Sequence, residues 1–469
     1  MKNIQKTQKQ TKTSKPNKTP SSPKLTKDYK NIKLDQVAKI NSKKPKVVLL
    51  YSGGLDTSNI LKWLILKGYD VVTFTADVGQ QYDDLNKVKA KALKTGASKA
   101  YVMDLKKEFV ENYVFQVSKT GAVYEKKYLM GCSPARAIIS KYAVEIAEKE
   151  NTNLIAHGCT AKGNDTTRFM INCKSLNPTI KMIVPWGDPE FVNFFEGRYD
   201  LIEFAKAHNI DVEHTTDKSY STDDNIAYLS SEAGILEEIE TETPEHVFKL
   251  VPQPYDKKVS NTPQYINLHF KSGVPCKLEI MDEKNKDKVI KTVTAPIEIF
   301  TSLNELGIKH AIGNSDVVET RVNGLKNHGV YQNPGLSIIY ACHTDMEHIC
   351  LDKEILKLQH NLANELSYIV YEGFWYSPEF GAIMAFFDYS QNFVNGYVTV
   401  KLYKGNVMSA GRFSETNNLY DGTMVSMNQI GGFDVTDTTG YQKIKSIRII
   451  NWNAINGASK KNKPAVAKK

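Results

Sequence analysis

The chain of 469 residues lacks several things at once. No apolar run approaches the about 20 residues that a membrane-spanning helix needs, which argues against a helical membrane protein. No hydrophobic core segment follows the basic N-terminus, so a secretory signal is not expected. The six cysteines, Cys132, Cys159, Cys173, Cys276, Cys342 and Cys350, form no CxxC pair and no dense framework. They read as reduced thiols of a cytoplasmic protein. Acid is scarce at both ends. Residues 1–44 hold thirteen Lys, two Asp and no Arg, a local charge of +11. Residues 457–469 add five Lys and no acid. The net charge is only +9, so the stretch between the tails carries about −7. The basic balance belongs to the ends, not the body. Both ends are poor in large apolar residues and are expected to be disordered Lys-rich tails. They serve as solvating segments or, alternatively, as a weak electrostatic hold on RNA, membrane or an acidic partner. The absence of Arg from the first tail speaks against a mitochondrial presequence.

What remains is 41% hydrophobic, enough for real cores. The stretch KVVLLYSGGLDTS, Lys46 to Ser58, runs five apolar or aromatic residues into two glycines, an acid and two hydroxyls. Val47 to Tyr51 has no polar alternation, which suits a buried strand of a parallel sheet. A helix follows, from about Thr57 to Leu64. A loop between strand end and helix start presents N–H groups to an anion. Strands at 71–76, 100–103, 154–157 and 182–184 alternate with helices at 83–93 and 133–148. In the last of these, Ser133 suits the N-cap and Pro134 the first turn. This pattern predicts an α/β domain over 45–212 with a doubly wound, mostly parallel sheet. Alternating residues at 265–270 and 276–280 form an antiparallel pair. Helices near 295–306 and 351–371 and a strand at 396–402 complete an α+β domain over 213–410. Residues 411–456 form a C-terminal segment. No internal repeat is visible.

The loop Ser52 to Ser58 is not a Walker P-loop, for it lacks GxxxxGK[ST] spacing and a phosphate-gripping Lys. It resembles the pyrophosphate loop of ATP pyrophosphatase-type enzymes, in which the bond broken is at the α-phosphate. A plain strand–turn–helix in which Asp56 or Thr57 caps is the structural alternative. A second constellation is HGCTAKGNDTTRF, His157 to Phe169. There Asp165 suits an ammonium and Arg168 a carboxylate. Thr160 and Asn164 suit orientation, and Gly158 and Gly163 allow close approach. A polar loop with an Asx turn is the plain reading of the same residues.

Together with YEKKYLMGCSPAR (Tyr124 to Arg136), YSTDDN, SSEAGILE, KHAIGNSDVVETRVNGLKNHGVYQNPG and YEGFWYSPE, these stretches resemble argininosuccinate synthase. The likeness spans nearly all of 46–448. It implies an AMP-forming ligase that condenses citrulline with aspartate through citrullyl-AMP, releasing pyrophosphate. It implies ATP, with Mg²⁺ on the phosphates, held by Leu50, Tyr51, Ser52, Gly53, Gly54, Leu55, Asp56, Thr57, Ser58, Ala76 and Gly158. Citrulline falls to Tyr128, Ser133, Asn164, Arg168, Ser221, Ser230, Glu319 and Tyr331, and aspartate to Thr160, Asn164 and Asp165. Ser52, Asp56, Asp165 and Arg168 are the implied catalytic set, and no protein-held metal is implied. A homotetramer is implied too, joined through 411–456. Taken singly the plain readings hold: Ser133 or Ser221 as caps, Tyr331 as core, Glu319 with Arg321 as a surface pair.

Some positions depart from the family pattern. Ala161 replaces Gly, Thr166 replaces Gln, Gly187 and Asn314 each replace Arg, Asn327-His328 replaces Ser-Arg, and Asn333 replaces Thr. These bear on rate, affinity and subunit contacts. Two other function classes stand beside the ligase. One is a weakened nucleotide- and amino-acid-binding homologue. The other is a tRNA-modifying enzyme with the same loop, although Cys132 and Cys159 lack the spacing of a reactive pair.

Overall fold

Val47 to Leu50 carries no polar residue because both faces of its strand are covered. Val47 and Leu49 join a cluster with Trp63, Leu64 and Phe195, and Val48 and Leu50 one with Phe74, Ile138 and Ile155. The computed structural model describes residues 27–39, 43–81, 84–211, 220–428 and 431–457. The expectations for residues 1–26, 40–42 and 458–469 as tails, and for the junction after residue 212, lie outside the described residues.

Five parallel strands form the first sheet: β1 (Lys46–Leu50), β2 (Asp70–Asp77), β3 (Lys99–Asp104), β4 (Leu154–Ala156) and β5 (Lys181–Ile183). Their order is β3-β2-β1-β4-β5, so the winding reverses between β1 and β4. Ligands of open α/β sheets bind above such a reversal, at the carboxyl ends of the strands. The two constellations singled out in the sequence follow β1 and β4. The main helices are α1 (Leu55–Leu66), α2 (Leu85–Thr95), α3 (Ser133–Lys149), α4 (Asn164–Leu176), α5 (Pro189–Phe194) and α6 (Arg198–Ala207). The doubly wound parallel sheet expected from the sequence is present.

The second half holds two antiparallel sheets. One orders β6 (Ser221–Asn225), β7 (Tyr228–Glu232), β11 (Asn314–Thr320) and β12 (Lys326–Gln332) as β11-β12-β7-β6. The other orders β8 (Gln264–Lys271), β9 (Val274–Met281), β10 (Val289–Val293), β13 (Gly396–Tyr403) and β14 (Asn406–Phe413) as β10-β9-β8-β13-β14. Four long helices accompany them: α7 (Pro296–Lys309), α8 (Pro334–Cys350), α9 (Lys353–Glu372) and α10 (Pro378–Gln391). The β6–β7 hairpin meets the end of β2: Ile226 N donates to Val78 O at 2.9 Å and Gln81 N to Asp224 at 2.9 Å. A last helix, α11 (Asp437–Asn456), buries none of its residues.

Three expectations are corrected. Residues 27–39, counted within the disordered tail 1–44, are docked. Tyr29, Ile32 and Leu34 pack on the Trp63 cluster, Tyr29 Oη donates to Asp200 at 2.7 Å, and Lys27 pairs with Asp200 at 2.9 Å. Composition averaged over 44 residues hid these few apolar anchors. The boundary at 410/411 cuts β14, which runs to Phe413. Ser133 is the first helical residue rather than the N-cap; Cys132 holds that place, with helical dihedrals and no side-chain cap.

Candidate active site

Helix α1 begins at the glycine loop with no side-chain cap, because its N-cap residue is Gly54. Its first turn therefore receives no bond from an N-cap side chain, the arrangement that attracts an anion. Gly53 sits at φ +78°, a backbone that other residues adopt only with strain. The hydroxyls are ordered around it. Ser52 Oγ and Thr57 Oγ1 are 3.1 Å apart, Tyr51 Oη and Ser58 Oγ 3.0 Å, and Ser58 Oγ donates to Gly53 O at 3.3 Å. Leu55 opens the helix. Burial pushes the Asp56 carboxyl up, while Arg198 and the Trp186 indole pull it back. Leu50 ends β1, and Ala76 lies near the end of β2 with its carbonyl taken by Gln80 Nε2 at 2.8 Å. Gly158, after β4, presses on the same helix: a Cβ there would lie 2.8 Å from Thr57 Cγ2.

The second constellation is an ion-pair network. Asp165 accepts from Arg136 Nε at 3.0 Å, Arg136 NH2 at 2.8 Å and Arg168 NH1 at 2.9 Å. Burial pushes this carboxyl up, but Arg136 and Arg168 outweigh it and hold it well below the usual range. Arg136 also pairs with Asp223. Arg168, only 4% exposed, donates its Nε to Tyr371 O at 2.6 Å and lies 4.7 Å from the Tyr371 ring centre. Asn164 donates to Tyr371 Oη at 2.8 Å and accepts from Val322 N at 2.9 Å. Thr160 O accepts from Thr166 Oγ1 at 2.9 Å, so the departure at Thr166 ties down its own loop.

The antiparallel sheet adds a wall. Tyr331 Oη donates to Glu319 Oε1 at 2.6 Å, and the Tyr128 and Tyr331 rings lie 4.2 Å apart. Glu319 is 2% exposed and its Oε2 has no hydrogen-bond partner among the described residues. Burial pushes its carboxyl up, against the pull of Tyr331 and Arg168. An unpartnered buried carboxylate oxygen costs free energy, and a ligand cation would remove that cost. Ser230 faces Tyr331 in register and its Oγ donates to Asp223 O at 3.4 Å. Ser133 Oγ reaches Tyr371 O at 3.5 Å.

Most expected residues thus gather in two linked groups, around α1 and around Asp165, Arg168 and Tyr371. Ser221 stands apart, exposed on β6 opposite Glu232. Sequence reasoning missed Arg136, Asp223 and Tyr371, although Arg136 and Tyr371 lie at the ends of stretches quoted for the resemblance. Cys132 Sγ and the Asp165 and Asp223 carboxylates fall within 4.8 Å of one another. Both carboxylates are already taken by guanidinium groups, so the trio fits an ion-pair network better than a cation site. The other departures find local partners. Asn314 donates to Val251 O at 3.2 Å and Pro252 O at 3.1 Å, and Asn333 to Ala227 O at 3.4 Å. His328 ring nitrogens lie 2.7 Å from both Leu236 O and Asp316. Asn327 Oδ1 accepts from Arg321 at 2.6 Å. Gly187 lies in a short 3₁₀ turn, and Ala161 is exposed.

Residues 46–211 match the family model for the argininosuccinate synthase N-terminal HUP domain, and residues 220–452 that for the C-terminal domain. An argininosuccinate synthase of Thermotoga maritima is 46% identical over 406 residues, covering 87% of this chain and 97% of the relative. The Saccharomyces cerevisiae enzyme is 42% identical over 421 residues, covering 90% and 98% respectively. The Homo sapiens enzyme is 41% identical over 414 residues, covering 88% and 98%. On that extent of identity, across both halves and almost the whole length of each relative, the chain belongs to the argininosuccinate synthase family.

Proposed function

We propose that this ligase joins citrulline to aspartate in two steps at one cleft, with ATP as the energy source. The observation that carries the reading is the uncapped start of α1 at the sheet's winding reversal, with Gly158 pressed against Thr57. The β- and γ-phosphates of ATP sit on the N–H groups and hydroxyls of residues 52–58, and adenosine lies beside Ala76 and Gly158. Mg²⁺ on the phosphates would supply charge neutralisation there. The hard oxygens of Ser52, Asp56 and Thr57 suit such an ion.

Citrulline lies between Tyr128, Tyr331 and Arg168, with its ammonium at the unpartnered Glu319 oxygen and its carboxylate toward Ser133 and Arg168. Its ureido oxygen attacks the α-phosphorus, and pyrophosphate leaves. Aspartate, oriented by Thr160, Asn164 and the Asp165 network, then attacks the ureido carbon, and AMP leaves. His157 is buried and held neutral, its pKa lowered to about 4 by burial, so it is a poor base. Positioning therefore carries the rate, and can supply about 7–11 kcal/mol. Residues 45–212 serve ATP, 213–413 complete the amino-acid sites, and the segment after β14, 414–456, joins subunits of a homotetramer. Exposed Ile444, Ile447, Ile450, Trp452 and Ile455 on α11 support that last role. The six free thiols, and the lack of a membrane-length apolar helix among the described residues, fit a cytoplasmic enzyme.

The test is pyrophosphate release by purified protein given ATP, citrulline and aspartate. The reading expects release that depends on citrulline and vanishes in a Ser52→Ala/Asp56→Ala double variant. Release no greater than that variant's would leave a binding protein instead.

A further inference from the structure

The segment Ser52 to Ser58 contains no Lys or Arg, yet the group it is proposed to hold gains negative charge as it departs. A cation reaches the loop from the neighbouring helix. Lys91, on α2, donates its Nζ to Gly53 O at 2.6 Å. Val88, three residues earlier on the same face of α2, packs on the same glycine: a Cβ on Gly53 would lie 3.1 Å from both Val88 methyl carbons. Helix α2 thus clasps the one loop residue with a left-handed backbone and holds an ammonium beside it. Arg198 acts on the Asp56 carboxylate.

We infer that Lys91 is a pyrophosphate-binding residue, supplying the charge that a Walker loop would place within its own sequence. It rests on the reading of residues 52–58 as the phosphate site. When the citrulline ureido oxygen bonds to the α-phosphorus, the bond from that phosphorus to the α–β bridging oxygen breaks. Its electron pair leaves with pyrophosphate, and no proton moves. The Lys91 ammonium, fixed on Gly53 O, hydrogen-bonds the departing oxygens and offsets the charge they gain.

The test is Lys91→Met in the full chain, with inhibition by inorganic pyrophosphate and by AMP measured separately. Loss of one charge-assisted hydrogen bond should weaken pyrophosphate inhibition and lower kcat by about tenfold or more each. AMP inhibition and the KM values of citrulline and aspartate should stay within about twofold, because Lys91 touches none of those groups. Unchanged pyrophosphate inhibition would overturn the inference. So would equal weakening by both products, since that marks a displaced loop rather than a lost charge. If Lys91→Met does not fold, Lys91→Gln is read by the same two constants. A wild-type chain that forms no AMP would refute the function itself, an outcome distinct from an active wild type with an unaffected variant.

Discussion

At the residue scale, Glu319 tells most. Its two oxygens are unequal: one accepts from Tyr331, and the other is buried without a partner among the described residues. A surface pair with Arg321, the plain reading of the sequence, is not formed; Arg321 pairs with Glu232 at 3.1 Å. Glu319→Gln should raise the citrulline KM by about ten- to a hundredfold, as loss of a charged partner does. The ATP KM should stay within about twofold, and steady-state kinetics with each substrate varied in turn reads both. Residue types in short motifs were legible: Arg168 and Asp165 stood out as a cation and an anion beside glycines. Their partners were not. Arg168 and Tyr371 lie 203 positions apart, and Arg136 and Asp223 are 87 apart. Only tertiary folding brings such pairs together, so local pattern carries no trace of them. The sequence suggested that Asp165 waits for a substrate ammonium, whereas two guanidinium groups already hold it.

At the element scale, the approach of β4's loop to α1 shapes the proposed nucleotide site. Gly158→Ala would place a methyl 2.8 Å from Thr57 Cγ2 and push the first turn of α1. The kcat/KM for ATP should fall by about one to two powers of ten while circular dichroism stays unchanged. Beneath the sheet, the end of α3 is tied to β1 and β3 through Glu150. It accepts from Lys46 at 2.7 Å, Lys99 at 2.7 Å and Tyr101 at 2.7 Å. Those bonds lower its pKa from 4.5 to about 2. A lowered carboxyl pKa gives stability that is complete above pH 4.5 and lost as pH falls toward 2. Glu150→Gln should lower Tm by about 1–3 °C at pH 7, and the gap to wild type should narrow below pH 4.5 in thermal melts. Strand β1 was legible because Val47 to Leu50 is buried and reads as an unbroken apolar run, whereas β3 and β5 are only partly buried and showed as short apolar stretches. Helix α10 was not, for its residues Phe380 to Phe387 show no clean stripe. The strand order, on which the site's location depends, is a property of crossovers and appears in no single stretch.

At the scale of the whole molecule, both ends of the body carry apolar surface that composition disguised. Residues 27–39 lie before the part matched by the family models and run over α1, α5 and α6. Val37 N donates to Lys67 O at 3.0 Å and Asp35 N to Glu190 at 2.8 Å. Their Lys and Asp made them read as tail, but two or three aromatic and aliphatic anchors suffice to dock a short segment. Helix α11 presents the opposite case, a helix with exposed Ile and Trp side chains and no buried residue in the single chain. A chain ending at residue 436 should therefore elute from size exclusion as a smaller assembly than the full chain. An unchanged elution position relative to mass would exclude α11 as the joining element.

The most direct measurement follows one atom. Citrulline with heavy oxygen in its ureido group is turned over with ATP and aspartate, and the phosphate oxygens of the nucleotide product are weighed. Attack by that oxygen on the α-phosphorus predicts AMP that carries the label, in one-to-one yield with argininosuccinate. Unlabelled AMP, or a product nucleotide that is ADP, would contradict the account.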